Sequence, residues 1–264
     1  MDWLVMGVVN VTPDSFSDGG LFLDPGVAIA HGHALARAGA QILDIGGEST
    51  RPGAQPVARD EELRRVLPVI VALADTGARI SIDTTKADVA RRALDAGATV
   101  VNDISAFRFD PEMAAVTADA GATCVLMHML GEPRTMQEHP RYENVVSDVK
   151  AFLEERLAFA VSQGISEHKI WLDPGIGFGK TLEHNLELIA RLDEIVAIGR
   201  PVVFGASRKS FLGKLTGRQV DERLAGTIAA NIIAYERGAH VFRVHDVAPT
   251  VDALRVAAAT VRRS

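Results

Sequence analysis

Eight short apolar runs, most of them rich in β-branched residues and separated by stretches with helical spacing, leave this chain few folds to choose from. The runs are Val5 to Val11, Gln41 to Ile45, Arg79 to Asp83, Thr99 to Ile104, Thr123 to Met127, Lys169 to Asp173, Pro201 to Phe204 and Val241 to Val244. Between them, series such as Glu61-Leu63-Val66-Leu67-Ile70 and Leu182-Leu186-Ile189-Leu192 recur at the interval of an amphipathic helix. The strands read as continuous apolar stretches, the pattern of a sheet buried on both faces, and such sheets are parallel. Eight βα units in 264 residues predict one domain over 1–264, a closed (β/α)8 TIM barrel with its active site at the C-terminal strand ends. An open doubly wound sheet would carry a glycine fingerprint after its first strand, and none follows Val11. Four related turns, Ala38-Gly39-Ala40, Ala96-Gly97-Ala98, Ala120-Gly121-Ala122 and Arg237-Gly238-Ala239, place a helix-ending glycine just before a strand, on the barrel's stability face.

Composition narrows the setting. The chain has 28 basic and 34 acidic residues, a formal charge of −6, and its Lys and Arg are scattered. Nonspecific nucleic-acid binding draws its affinity from neutralising phosphates, so this balance argues against it. The single cysteine, Cys124, closes no intramolecular disulfide and excludes Cys-rich zinc modules; inside an apolar run it reads as a small buried hydrophobe. No uncharged apolar run approaches the roughly 18 residues of a membrane span, and the opening MDWLVMGVVN lacks the basic region of a signal peptide. The expectation is a cytoplasmic protein without membrane or nucleic-acid partners.

Polar residues gather where such a barrel keeps its chemistry. Strand one ends in Asn10-Val11-Thr12, strand two in Asp44 through Arg51, strand three in Asp83-Thr84 and strand four in Asn102-Asp103. Strand six ends in Asp173-Pro174-Gly175, strand seven in Ser207-Arg208-Lys209 and strand eight in Arg243-Val244-His245-Asp246. Helix capping accounts for any one of these, but not for seven ends at once. Three connections, Pro13 to Pro25, Gly47 to Ala58 and Leu130 to Tyr142, exceed the usual length of about 2–6 residues, and the glycines of the first suit a closing lid.

Two near misses are set aside. Pro174 to Thr181 imitates a P-loop but has proline where that motif needs glycine. His31 and His33 sit two apart on a predicted helix, so they do not face one ligand. His128 ends strand five, where it either lines the cavity or is a satisfied core residue.

Taken together, Met6 to Gly20, Asp44 to Gly53, Ser81-Ile82-Asp83-Thr84, Asn102-Asp103, Met127-His128-Met129, Leu172 to Lys180, Gly205 to Phe211 and Arg243 to Val247 resemble, in order, the signatures of the dihydropteroate synthases. The resemblance covers essentially the whole chain and is to the stand-alone bacterial form. That family, a target of sulfonamides, joins 6-hydroxymethyl-7,8-dihydropterin diphosphate to 4-aminobenzoate, giving 7,8-dihydropteroate and pyrophosphate. By resemblance Asp83, Asn102, Asp173, Met127, Phe178, Gly205, Lys209 and Arg243 hold the pterin. Phe16, Thr50, Arg51, Pro52, Phe178 and Ser207 surround the aminobenzoate. Asn10, Arg51, Arg243 and His245 take the diphosphate, with Asn10 also touching a Mg2+ ion, and Lys209, Asp18, Arg243 and His245 carry catalysis. A homodimer through the last helices is implied, and Ile228, Ile232, Ile233, Leu254 and Val261 are compatible with it, though packing of helix on barrel explains them equally.

The residue types suit this chemistry. A dihydropterin presents an amidine-like edge of donors and ring acceptors that buried carboxylates and an amide satisfy. A planar guanidinium stacks on such a ring. Mg2+ relies on hard oxygens and substrate phosphates more than on a full protein cage. Loss of diphosphate before amine attack needs no side-chain nucleophile, and none is apparent. Two readings stay beside the synthase: a pterin-binding methyltransferase, which has no diphosphate to hold, and a paralogue that binds pterin without turnover.

Overall fold

The computed structural model describes residues 3–12, 25–51 and 53–261. The strands are β1 (Leu4–Asn10), β2 (Ile42–Gly46), β3 (Arg79–Asp83), β4 (Val100–Asp103), β5 (Thr123–Met127), β6 (Ile170–Asp173), β7 (Val203–Phe204) and β8 (Val241–Val244). They run parallel in the order β6-β5-β4-β3-β2-β1-β8-β7, and a bridge between Leu172 and Val202 joins the two ends into a barrel. All eight expected strands are present, with ends shifted by one residue at most except at β7. That strand is two residues shorter than the run Pro201 to Phe204, because proline has no N–H for the ladder; its carbonyl still accepts from Leu172 at 2.9 Å.

The helices are α1 (Pro25–Arg37), α2 (Arg59–Leu73), α3 (Ala87–Asp95), α4 (Met113–Asp119), α5 (Val145–Ser162), α6 (Leu182–Ala190), α7 (Leu192–Val196), α8 (Ser210–Thr216), α9 (Leu224–Glu236) and α10 (Val247–Val261). Each connection carries one, except that α6 and α7 share the path after β6, and α8 and α9 the path after β7. The four expected turn glycines all take left-handed φ, from +57° at Gly121 to +112° at Gly97.

Alternation along the strands divides the apolar residues into two cores. Outward-facing Val5, Val9, Leu43, Ile45, Ile82 and Phe242 pack with Ile70, Leu73, Leu153 and Leu254 of the helices. Inward-facing Met6, Ile42, Val100, Val125, Trp171, Val203 and Val241 plug the barrel's lower half. Side chains repeat every second residue on one face of a strand. Two positions above the plug, the inward rows therefore hold Asp44, Asn102, Met127, Asp173, Gly205 and Arg243. The same strands that fill the lower barrel with hydrocarbon thus line its mouth with polar groups.

No helix among the described residues is long and apolar enough to cross a membrane. Cys124 is buried, as expected of a small hydrophobe, and burial raises its thiol pKa. Of the residues considered for a dimer face, Leu254 is fully buried in the outer core, which assigns it to packing on the barrel. Ile228 and Ile232 are half-buried, while Ile233 is exposed.

Trp171→Ala, which empties the centre of the inner plug, should lower unfolding free energy by about 3–5 kcal/mol. Val71→Ala, on an exposed position of α2, should change it by less than about 0.5 kcal/mol. Urea unfolding followed by circular dichroism checks both, and equal midpoints would contradict the division into cores.

Candidate active site

Arg243, inward-facing on β8, lies at the centre of the mouth. Its Nε donates to Asp44 Oδ2 and its Nη2 to Asp83 Oδ2, both at 2.6 Å. Asp44, fully buried, is further satisfied by the Ser81 hydroxyl at 2.6 Å and by Asn102 Nδ2 at 3.0 Å. These contacts follow from strand register, since Asp44 lies beside Ser81, Gly46 beside Asp83, and Asp83 beside Asn102. Two of Arg243's nitrogens are thereby fixed, leaving Nη1 and the guanidinium plane for a ligand. Burial disfavours the charge, but Asp44 and Asp83 outweigh it and hold the pKa above the usual arginine value.

Asp173, at the end of β6, accepts from Gly175 N at 2.7 Å through Oδ1. A Cβ placed on Gly205 would lie 3.8 Å from Lys209 Nζ, 3.9 Å from Arg243 Cβ and 4.0 Å from Asp173 Oδ2. The missing side chain at Gly205 is therefore the space on which these three groups converge. Lys209 rests its ammonium against the Ile176 carbonyl and 4.6 Å from the centre of the Phe178 ring. Burial lowers its pKa to about 8, with Asp173 and Asp83 opposing and Arg243 reinforcing the shift. Burial also raises Asp83 to about 7 against the pull of Arg243, and raises Asp173 against Lys209. The pocket thus contains groups that change charge close to neutrality.

The rim after β7 depends on a strained residue. Arg208 has φ +59°, held by two bonds to Asp246 at 2.6 and 2.9 Å and by Thr227 Oγ1, which accepts from its N–H. This places Ser207 and Lys209 on either side of the turn. Ser207 Oγ accepts from His245 N–H at 3.2 Å and lies 3.0 Å from its Nδ1. Burial, then Arg243 and Arg208, lower the imidazole to about 4, and Arg51 contributes in the same direction. His245, which the resemblance places on the diphosphate, is therefore kept neutral at pH 7 by its surroundings.

The second long connection is anchored at its root. Lys86, at the start of α3, bonds to Glu48 and, at 2.5 Å, to the fully buried Glu62 of α2. Beside this ion cluster a cavity of about 350 Å³ is lined by Thr50, Asp83, Thr84 and Arg134 among others. Asp103, which follows Asn102, turns away from the mouth and accepts from the N–H groups of Ser105 and Phe107, shaping the β4 loop.

The structure brings Asp83, Asn102, Asp173, Gly205, Ser207, Lys209, Arg243 and His245 together as the sequence predicts. Met127 and Phe178 form an apolar wall with Ile104, Met129 and Met136. Asn10 ends β1, while Thr50 and exposed Arg51 stand on the second connection. Phe16, Asp18 and Pro52 lie outside the described residues. His128 is a core residue: it meets Phe152 edge-on at 4.9 Å and Lys180 Nζ at 2.9 Å, and burial lowers its pKa to about 2. The site list drawn from sequence omits Asp44, Arg208 and Asp246. The signal for Asp44 was present, a carboxylate between Leu43 and Ile45 in a strand that is otherwise apolar.

Among the described residues no three His, Cys, Asp or Glu side chains form a metal cage. Asn10 offers one hard amide oxygen at the rim, which fits an ion held mainly by substrate oxygens and water.

A pterin-binding enzyme family model matches residues 6–245. The dihydropteroate synthase of Escherichia coli (strain K12) is 47% identical over 257 residues, 97% of this chain and 91% of that protein. The Xanthomonas albilineans dihydropteroate synthase solved with 4-aminobenzoic acid superposes with a TM-score of 0.93 at 49% identity, covering 99% of this chain and 94% of that one. The same organism's enzyme in complex with 7,8-dihydropteroate gives a TM-score of 0.90 at 46% identity, with the same coverage.

Asp44→Asn leaves the Arg243 charge half-compensated and should cost about 3–5 kcal/mol of stability. Arg51→Ala, on an exposed loop, should change it by less than about 0.5 kcal/mol. Chemical denaturation of the two variants beside the parent measures the difference, and a neutral Asp44→Asn would remove Asp44 from the site's framework.

Proposed function

The chain belongs to the pterin-binding enzymes and, among them, to the dihydropteroate synthases, and we propose from the geometry of its mouth how it carries out their reaction. That reaction condenses 6-hydroxymethyl-7,8-dihydropterin diphosphate with 4-aminobenzoate to give 7,8-dihydropteroate and pyrophosphate. The observation that carries the proposal is the inward-facing layer of Asp83, Asn102 and Asp173 around Arg243 and Lys209. Asp83, Asp173 Oδ2 and Asn102 Oδ1 provide acceptors for the pterin's donor edge, and Lys209 provides a donor for its carbonyl and ring nitrogen. The open space at Gly205 takes the ring, and the Arg243 plane lies against one face of it.

The diphosphate then extends toward Asn10, Arg51 and His245 at the rim. The bond from the exocyclic methylene carbon to oxygen breaks, and pyrophosphate leaves with the electron pair. The electron-rich ring stabilises the methylene cation. The 4-aminobenzoate nitrogen adds to that carbon and gives up its proton to the released pyrophosphate. Arg243, Arg51 and the neutral imidazole N–H of His245 stabilise the charge on the departing group. Asn10 would help hold Mg2+, which would supply further charge neutralisation at the departing group. Phe178, Ser207 and Lys209, with Thr50, Arg51 and Pro52, form the aminobenzoate pocket, and a sulfonamide competes there. Water must be kept from the site, because it would otherwise capture the cation; by resemblance Phe16 and Asp18, outside the described residues, belong to that task.

Exposed Leu215, Leu224, Ile233 and Val256 on α8, α9 and α10 support a homodimer through the last helices. The single buried thiol suits a cytoplasmic location.

Turnover with both substrates, following dihydropteroate and pyrophosphate in parallel with and without Mg2+, tests this reading. Matched, Mg2+-dependent release of both products is expected, and tight pterin binding without product would indicate a binding paralogue. Asp83→Asn should weaken pterin diphosphate binding on the order of 100-fold, because a charged acceptor is lost where the ligand presents donors. Unchanged affinity by calorimetry would remove Asp83 from the pocket.

The pH dependence has a definite sign. Ionised Asp83 is the stronger acceptor and carries no proton to oppose the ligand's donors, so kcat/KM should rise as pH increases through about 7. Lys209 donates as a cation, so kcat/KM should fall above about 8. For stability, the raised Asp83 pKa means the folded state gains a proton first, and the contribution of that proton is lost between pH 4 and 7. Lys209→Arg should displace the alkaline limb beyond the measurable range; an unmoved limb would assign it elsewhere.

A further inference from the structure

After β6 the chain enters a segment whose successive carbonyls at 176, 177, 178 and 179 each accept from a different side chain. Ile176 takes Lys209 Nζ, Gly177 takes Gln137 Nε2 at 2.7 Å, Phe178 takes Lys180 Nζ at 3.0 Å, and Gly179 takes the Tyr142 hydroxyl at 2.7 Å. Gly175, Gly177 and Gly179 all have positive φ, between +61° and +85°. Such a segment has little conformational preference of its own, so its shape depends on external donors. Two of those donors, Gln137 and Tyr142, belong to the third long connection.

The same connection also touches the ring between the two carbonyls. Met136 is buried with Met127 and Met129, and Phe178 packs on that cluster. A Cβ at Gly179 would fall 2.8 Å from Leu130 Cβ, so the two segments lie flush. Tyr142 is itself fixed, its ring meeting His184 edge-on at 4.9 Å. Lys180, almost wholly buried, secures the segment from within by its second bond to His128.

We propose that Tyr142 and Gln137 are positioning residues for 4-aminobenzoate: by holding the carbonyls on either side of Phe178 they fix its ring and, through it, the contact with Lys209. The inference rests on the reading that Phe178 and Lys209 wall the aminobenzoate pocket. It adds the third connection to the machinery, through bonds that both residues make to backbone carbonyls. Preorganisation of this kind acts mainly on 4-aminobenzoate; the pterin shares Phe178 and Lys209 but takes most of its contacts from strand-borne Asp83, Asn102 and Asp173, so its binding changes less.

Steady-state kinetics with each substrate varied separately test it, using Tyr142→Phe, Gln137→Ala, the double variant and Phe178→Ala as reference, beside thermal midpoints. Tyr142→Phe should raise KM for 4-aminobenzoate about fivefold, the effect of one neutral hydrogen bond, and the double variant further. KM for the pterin diphosphate should stay within about twofold. A double variant with the parent's KM for 4-aminobenzoate, while Phe178→Ala is impaired, overturns the positioning role alone. Parent-like Phe178→Ala overturns the pocket reading and the inference with it. An equal rise in both KM values, or a lowered melting temperature with unchanged kinetics, assigns the two residues to structure only.

Discussion

Removing a guanidinium from water costs several kcal/mol even after the protein relaxes around it, and Arg243 meets that cost through two carboxylates at 2.6 Å. Asp44 and Asp83 can be there only because β2 and β3 pair in the register that puts Gly46 beside Asp83. Asp44 is in turn tolerable because Ser81 and Asn102 from the next two strands take its other lone pairs. The cluster therefore connects four strands, and each member is placed by backbone hydrogen bonds and not by a flexible loop. Removing one partner leaves a buried charge unmatched, so the polar layer is a condition of the barrel's upper half as well as its equipment.

This arrangement also sets the electrostatics that a ligand meets. Asp44 is fully used within the protein, whereas Asp83, Asp173 and Asn102 each spend one polar atom internally and keep another for the mouth. Burial pushes the two carboxylates up and Lys209 down, toward neutrality. In the proposed reaction a donor-rich ring would replace lost water around the carboxylates, and a leaving anion would do the same for Arg243 and His245. The mouth thus presents polar atoms that the protein's own contacts do not use up.

The strands were legible because hydrophobic runs and helix-ending glycines such as Gly97 act locally. The site was legible where a polar residue interrupts such a run at its end, as Asp83, Asn102 and Asp173 do. Asp44 escaped the site list because its importance lies in Arg243, 199 positions away in the chain. The neutrality of His245 was hidden for a similar reason, since it depends on burial and on Arg208 and Arg243 nearby. Gln137 and Tyr142 left no pattern at all, because they act on backbone carbonyls, which any sequence supplies. Phe16, Asp18 and Pro52 rest on the resemblance to the family.

Because plug and mouth share the same strands, they are mechanically one object. Trp171 stands two residues below Asp173, and Val241 two below Arg243, so a change in plug volume shifts the strand that carries the polar group above. Close-packed interiors transmit such shifts instead of absorbing them. A displacement near 1 Å at a reacting centre is enough to cost on the order of 100-fold in rate. Substitutions in the plug should therefore reach the pterin acceptors without touching substrate, whereas the aminobenzoate side, built on connections, responds to contacts such as those of Tyr142. On the proposed assignment, the two substrates draw on parts of the chain with different sources of rigidity, chiefly register for the pterin and side-chain clamps for the aminobenzoate.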